Sequence, residues 1–153
     1  MIFTGINDEA GAHIATQIKA VKELGWETIE ARSVEVTGFP KANLHDIPDA
    51  AFDVVEEKLK DAGVGVYCFG STIANWGKRI DDPFDLSEVE RAIPRMQRLG
   101  TQYVRIMSYA VREGADQMEA ERFHRLREIT RRFLDAGLTP VHENCMNYGG
   151  MNW

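Results

Sequence analysis

The decapeptide "KDAGVGVYCF", residues 60–69, reads as a charged helix end, a glycine and then a short β-prone run. Three other stretches share the plan: "KELGWETIEA" (22–31), "QRLGTQYVRI" (97–106) and "LDAGLTPVHE" (134–143). Their glycines are Gly25, Gly63, Gly100 and Gly137, spaced 38, 37 and 37 residues apart. Glycine ends a helix in a left-handed turn without a Cβ penalty. A strand that starts one or two residues later is a tight helix-to-strand connection. The chain is therefore read as a repeat of helix–glycine–strand units.

The segments before these glycines carry helical periodicity. Ile14, Ile18, Val21 and Leu24 follow the 3.6 spacing, as do Phe52, Val55 and Leu59, and again Phe123, Leu126, Ile129 and Phe133. Asp46 is the expected N-cap of the second helix, with Pro48 in its first turn. Ser87 and Glu90 form a capping box ahead of "VERAIPRMQRL" (89–99), where Pro94 is expected to kink the helix. The runs after the glycines are short and nearly continuous in apolar character, as in strands of a parallel sheet buried on both faces. With "MIFTGI" (1–6) in front, the expected order is β-α-β-α-β-α-β-α-β: five parallel strands and four helices.

Two α/β architectures fit. One is a five-stranded doubly wound sheet. The other is a (β/α)8 barrel, which at about 37 residues per unit needs close to 300 residues, so that five strands make about half of one. The first strand is not followed by a Gly-x-Gly-x-x-Gly phosphate loop. The expectation is one α/β domain over residues 1–153.

The 153 residues are 44% hydrophobic and 27% charged, with a net charge of −6. Such a balance counts against a general nucleic-acid binder. No apolar run reaches the length of a membrane span, and the start lacks a signal-peptide pattern. Cys68 and Cys145 have no metal-finger spacing, and two half-buried thiols suit a reducing cytoplasm.

In either architecture ligands bind beyond the C-terminal strand ends. In order, these carry Asn7, Asp8 and Glu9; Glu30 and Arg32; Ser71, Asn75, Trp76 and Lys78; Arg105, Ser108 and Tyr109; and His142, Glu143, Asn144 and Cys145. Asn7 and Asp8 read equally as helix caps. Trp76 is either a lid on the core or a platform for substrate. Glu30 and Arg105 are candidates for an ion pair inside a barrel layer. His13, His45 and His124 are expected at the surface, and the arginines of residues 122–132 on a solvated helix face. Glu143 carries the chemistry, because a lone carboxylate on a buried strand needs a metal, a cation or an open pocket. His142 and Asn144 flank it on the opposite pleat. No second inward carboxylate is evident, whereas a hard divalent ion needs several ligands.

"ELGWETIEAR" (23–32), "GTQYVRIMSY" (100–109) and "LTPVHENC" (138–145), followed by "NYGGMNW" (147–153), resemble the xylose-isomerase-like sugar isomerase/epimerase superfamily over essentially the whole chain. The resemblance implies the N-terminal part of a TIM (β/α)8 barrel holding Mn²⁺ or Mg²⁺. Glu143 would be metal ligand and acid/base, and the substrate a sugar or sugar phosphate. It also implies an aspartate, a histidine and a second glutamate from strands six to eight, which this sequence lacks. Trp76, Lys78, Arg105, His142 and Asn144 are the candidate substrate-binding residues. Alternatives are a metal-dependent keto-inositol dehydratase, an abasic-site endonuclease, and a non-catalytic half-barrel that acts through self-association. The endonuclease needs several metal-binding histidines and a basic groove, which the scattered histidines and acidic balance oppose. An unpaired sheet edge leads to the expectation of a homodimer or larger assembly.

Overall fold

The computed structural model describes residues 1–150, so the end of the "NYGGMNW" motif, residues 151–153, lies outside the described residues. The four glycines of the repeat all adopt positive φ, between 61° and 75°. Each therefore turns the chain out of a helix and into a strand, the geometry that a side chain disfavours.

Four strands form one parallel sheet in the order β1-β4-β5-β6: β1 (Thr28–Ala31), β4 (Gly65–Gly70), β5 (Tyr103–Ile106) and β6 (Thr139–His142). Between β1 and β4 lies a small antiparallel pair, β2 (Ser33–Val34) and β3 (Ala42–Asn43), which the repeat did not announce. The helices are α1 (Ile14–Glu23), α2 (Asp49–Ala62), α3 (Ser87–Leu99) and α4 (Glu119–Asp135). Phe52, Val55 and Leu59 of α2, Val89, Ala92 and Met96 of α3, and Ile129 and Phe133 of α4 share one core with Ile29, Phe69 and Val104 of the sheet. Among the described residues, no helix is long and apolar enough to cross a membrane.

Several local expectations are corrected. "MIFTGI" is not a strand: it makes a single parallel bridge, Ile6 to Glu30, and the sheet has four strands instead of five. Met1, Ile2 and Phe3 are exposed. Helix α2 begins at Asp49 with Pro48 as N-cap, so Asp46 does not cap it. Ser87 is the first residue of α3, and the carboxylate that receives its N–H is Asp85, at 2.8 Å, so the capping box does not form. The helix expected around Pro94 is present as α3, Ser87–Leu99.

Helix α4 turns differently from its predicted stripe. Phe123 is exposed, while Arg122 and Arg125 are buried beside Ile129 and Phe133. Arg122 points into the loops at the strand ends, donating to the carbonyls of Ser108 (2.7 Å), Ala110 (2.7 Å) and Gln117 (2.5 Å). Arg125 donates to the Asp82 carbonyl at 2.9 Å. A guanidinium with five donors satisfies loop carbonyls that an apolar side chain would leave bare. Arg127, Arg131 and Arg132 do lie on the solvated face.

Candidate functional site

The loops that follow β4, β5 and β6 are joined edge to edge. Met107 and Tyr109 donate backbone N–H groups to Ile73 O (3.1 Å) and Ala74 O (2.6 Å), and Tyr148 donates to Tyr109 O (3.1 Å). Within these loops Ala74, Tyr109 and Met146 adopt positive φ of 54°, 67° and 49°. Non-glycine residues rarely adopt that conformation, and it concentrates where surrounding structure holds a site in shape. Asn147 closes the last loop: it is buried, accepts from Ser108 Oγ, and donates to the carbonyls of Glu143 (2.9 Å) and Cys145 (2.6 Å).

Parallel register sets the residues beneath these loops. Glu30 lies beside Cys68, Gly70 beside Arg105, and Arg105 beside Val141, two residues before Glu143. Glu30, Arg105 and Glu143 consequently share a face of the sheet. Arg105 Nη1 lies 2.9 Å from Glu143 Oε2 and 4.0 Å from Glu30 Oε1. Its Nη2 donates to the Ser71 carbonyl at 3.1 Å, and Ser71 Oγ donates to the Arg105 carbonyl at 2.5 Å. Gly70 leaves room for the Glu30 carboxylate, since a Cβ there would meet Oε1 at 3.3 Å. Burial pushes the Glu30 carboxyl above its ordinary range, opposed by the charge of Arg105 and assisted by that of Glu143. Glu30 is thus a second inward carboxylate, which sequence reading does not find. The expected Glu30–Arg105 pair is the longer of two contacts, and Arg105 sits closer to Glu143.

The other candidates disperse. Asn144 is exposed. His142 leans toward the turn at Gly149, where a Cβ would collide with its ring. Burial lowers the His142 pKa, against the charge of Glu143. Trp76 is 53% exposed, so it is not a lid packed into the core. Lys78 forms an ion pair with Glu88. Asn7 is buried and donates to the Gln17 carbonyl at 3.1 Å, while Asp8 receives Arg32 Nε at 3.0 Å, so neither caps α1. His13 is that cap, accepting from Ala15 N at 3.2 Å. Cys68 is buried and Cys145 exposed, so the two thiols are not alike.

His45 is the largest departure. Instead of lying at the surface it is fully buried, with Nε2 at 3.3 Å from Asp46 Oδ2, 3.3 Å from Glu88 Oε1 and 3.4 Å from Thr72 Oγ1. Burial lowers its pKa to about 4, against the pull of Asp46 and with Lys78, Arg91 and Arg95 adding to the fall. The sequence signal was weak: a His-Asp pair in a loop, with its glutamate 42 residues on.

Two groupings can attract a cation. Glu143 Oε2 is buried and accepts no well-aligned hydrogen bond, the state of a carboxylate oxygen that suits a cation. The Mn²⁺ or Mg²⁺ implied by the resemblance would find one ligand there, with Glu30 near, but the described residues do not complete an octahedral oxygen shell. His45, Asp46 and Glu88 are the second grouping, their ligand atoms lying within 4.8 Å of one another.

Comparison with known proteins follows the same division between fold and chemistry. No protein-family model matches the chain. A 65-residue stretch is 45% identical to the large ribosomal subunit protein bL12 of Burkholderia ambifaria, covering 42% of this chain and 52% of that protein. Among solved structures, the fold is similar to a xylose isomerase-like TIM barrel protein from Mycobacterium smegmatis in complex with magnesium (16% identity, TM-score 0.64, 92% of this chain and 54% of that one). It is similar also to 3-keto-D-glucoside 4-epimerase from E. coli (15%, TM-score 0.62, 93% and 56%). A family 2 AP endonuclease from Brucella melitensis matches as well (15%, TM-score 0.66, 97% and 58%). The chain spans about half the length of the ribosomal protein and of each of these barrels. Its fold is that of about half of a TIM barrel.

Proposed function

We propose that the chain supplies the N-terminal half of a sugar isomerase or epimerase site, in which Glu143 takes or returns the proton beside a substrate carbonyl. The observation that supports this reading is the arrangement of two carboxylates, Glu143 and Glu30, on either side of Arg105 at the C-terminal end of the parallel strands. Arg105 Nη1 lies 2.9 Å from the Glu143 carboxylate, and an ionised carboxylate is the form that accepts a proton. The raised pKa of Glu30 suits it to carry a proton at neutral pH more readily than an exposed glutamate does. A divalent ion bound through Glu143 would polarise adjacent carbonyl and hydroxyl oxygens. The exposed faces of Trp76, His142 and Asn144 are the parts of this half that a sugar or sugar phosphate would meet, in a cytoplasmic setting.

The test is deuterium uptake from D₂O at the carbon next to the carbonyl of ketoses, aldoses and their phosphates, with Mn²⁺ or Mg²⁺ present. Exchange that Glu143→Gln abolishes supports the reading. Its absence across the panel leaves the second reading, a half-barrel that acts through self-association. That reading draws on the edge of β6, which among the described residues pairs on one side only and where Val141 is 39% exposed, and on the exposed Met1–Phe3 segment. In both readings we propose a homodimer or larger assembly.

A further inference from the structure

The grouping around His45 is assembled from the loop that follows β3, the residues just past β4 and the first turn of α3. Each carboxylate there has a division of labour. Glu88 gives Oε2 to Lys78 and turns Oε1 to His45; Asp46 gives Oδ1 to Arg91, at 2.5 Å, and turns Oδ2 to His45. The outer oxygens are held by basic side chains while the inner ones converge on one imidazole nitrogen. Outer partners of this kind orient metal ligands.

The convergence is poorly explained by hydrogen bonding alone. A neutral imidazole carries one proton. On Nε2, that proton is shared between two acceptors at 3.3 Å, beyond the usual hydrogen-bond range, and the Nδ1 lone pair is left in a buried position without a donor. On Nδ1, it leaves the Nε2 lone pair facing two carboxylate oxygens, and Thr72 Oγ1 already donates to Glu88 Oε1 at 2.9 Å. A cation among the three inner atoms removes that repulsion and uses the lone pair. The spacing also fits. Ligands at about 2.0–2.1 Å from a tetrahedral ion lie roughly 3.3 Å apart, and the contacts of Nε2 to Oδ2, Oε1 and Thr72 Oγ1 are 3.3, 3.3 and 3.4 Å.

We propose that His45 Nε2, Asp46 Oδ2 and Glu88 Oε1 form a tetrahedral site for a divalent transition-metal ion of the zinc class, with the fourth position at or beside Thr72 Oγ1. One imidazole nitrogen and two carboxylate oxygens, each oxygen 3.3 Å from that nitrogen, suit zinc better than magnesium, which demands six ligands. The site's role is structural. It clamps the loop that leads into α2 and the loop after β4 onto the start of α3. It is separate from the Glu143 position and takes a different ion.

The probe is Co²⁺ added to chelator-treated, untagged protein, read by visible absorption, with Zn²⁺ competition and thermal unfolding alongside. One equivalent of Co²⁺ should produce the intense band of a tetrahedral site, displaced by Zn²⁺. Zn²⁺ at a hundredfold excess over its dissociation constant should raise the melting temperature by roughly 5–10 °C. Both signals should persist in Glu143→Gln and vanish in Glu88→Gln and His45→Gln. Where His45→Gln does not fold, Glu88→Gln and Asp46→Asn carry the comparison. No tetrahedral band in the unmodified protein, or a band that survives Glu88→Gln and Asp46→Asn, overturns the proposal. Loss of the band in Glu143→Gln alone would assign the ion to the other position, and overturns it too. Failure of the deuterium-exchange test leaves this result unaffected, because neither readout requires turnover.

Discussion

Arg105 stands between two carboxylates, with its guanidinium 2.9 Å from Glu143 and 4.0 Å from Glu30. The three residues come from strands β5 and β1 and from the end of β6, so the contact exists only because the parallel register lines them up. Removing the cation leaves two carboxylates side by side and the Ser71 carbonyl without its donor. Arg105→Met should therefore cost about 2–4 kcal/mol in urea unfolding, under the fully buried limit because both carboxylates keep some solvent. Adding Glu30→Gln and Glu143→Gln to it should recover much of the loss. A cost under about 1 kcal/mol would show that the triad is held by the backbone alone.

Arg122 is fully buried and serves three carbonyls in the strand-end loops. Arg122→Met should destabilise by roughly 3–5 kcal/mol, since buried acceptors lose their donors together. Arg122→Lys should not restore stability, because a single ammonium lacks the planar fork that reaches three separate oxygens. Equal melting temperatures for the Lys variant and the parent would refute this.

The two thiols should differ sharply toward an aromatic disulfide reagent at pH 8. Cys145 is exposed and should react in the native protein, and Cys68 only after unfolding. Burial, helped by the charge of Glu30, pushes the Cys68 thiol up to about 12, so its reactive thiolate is scarce. The folded pKa lies above the ordinary 9.0, so this contribution to stability is whole below pH 9 and is lost as pH rises toward 12. The difference in stability between the parent and Cys68→Ala should shrink over that window. Two native thiols of equal reactivity would contradict the burial argument.

Among the described residues β6 pairs on one side only, and this edge and the exposed Met1–Phe3 segment should make the 153-residue chain associate. Light scattering coupled to size separation is expected to give at least a dimer mass. A monodisperse monomer that binds no dye for exposed apolar surface would sink the expectation.

Much of the fold was readable in one dimension because helix ends and strand starts are local events. Gly25, Gly63, Gly100 and Gly137 mark the turns whether or not the rest of the chain is known. The strand "MIFTGI" failed for a non-local reason. An apolar run becomes a strand only if it has neighbours, and this one has a single bridge. The face of α4 failed likewise, because Arg122 and Arg125 are drawn inward by carbonyls of loops that precede the helix. Of the site, Glu143 was legible as a carboxylate at the end of a short apolar run, although β6 proves to be a half-exposed edge strand. Glu30 was not recognised as its companion, because register and the gap left by Gly70 decide that.

The residues alone determined the repeat, its parallel strands and the position of the chemically loaded segment, since glycine conformation and apolar periodicity act within a few neighbours. Only the tertiary structure decided which charges meet. Arg105 chose Glu143 over Glu30, Lys78 went to Glu88, and His45 left the surface for a pocket of carboxylates. Electrostatic pairing depends on distances across strands and loops, and those distances are set when the sheet and its helices pack.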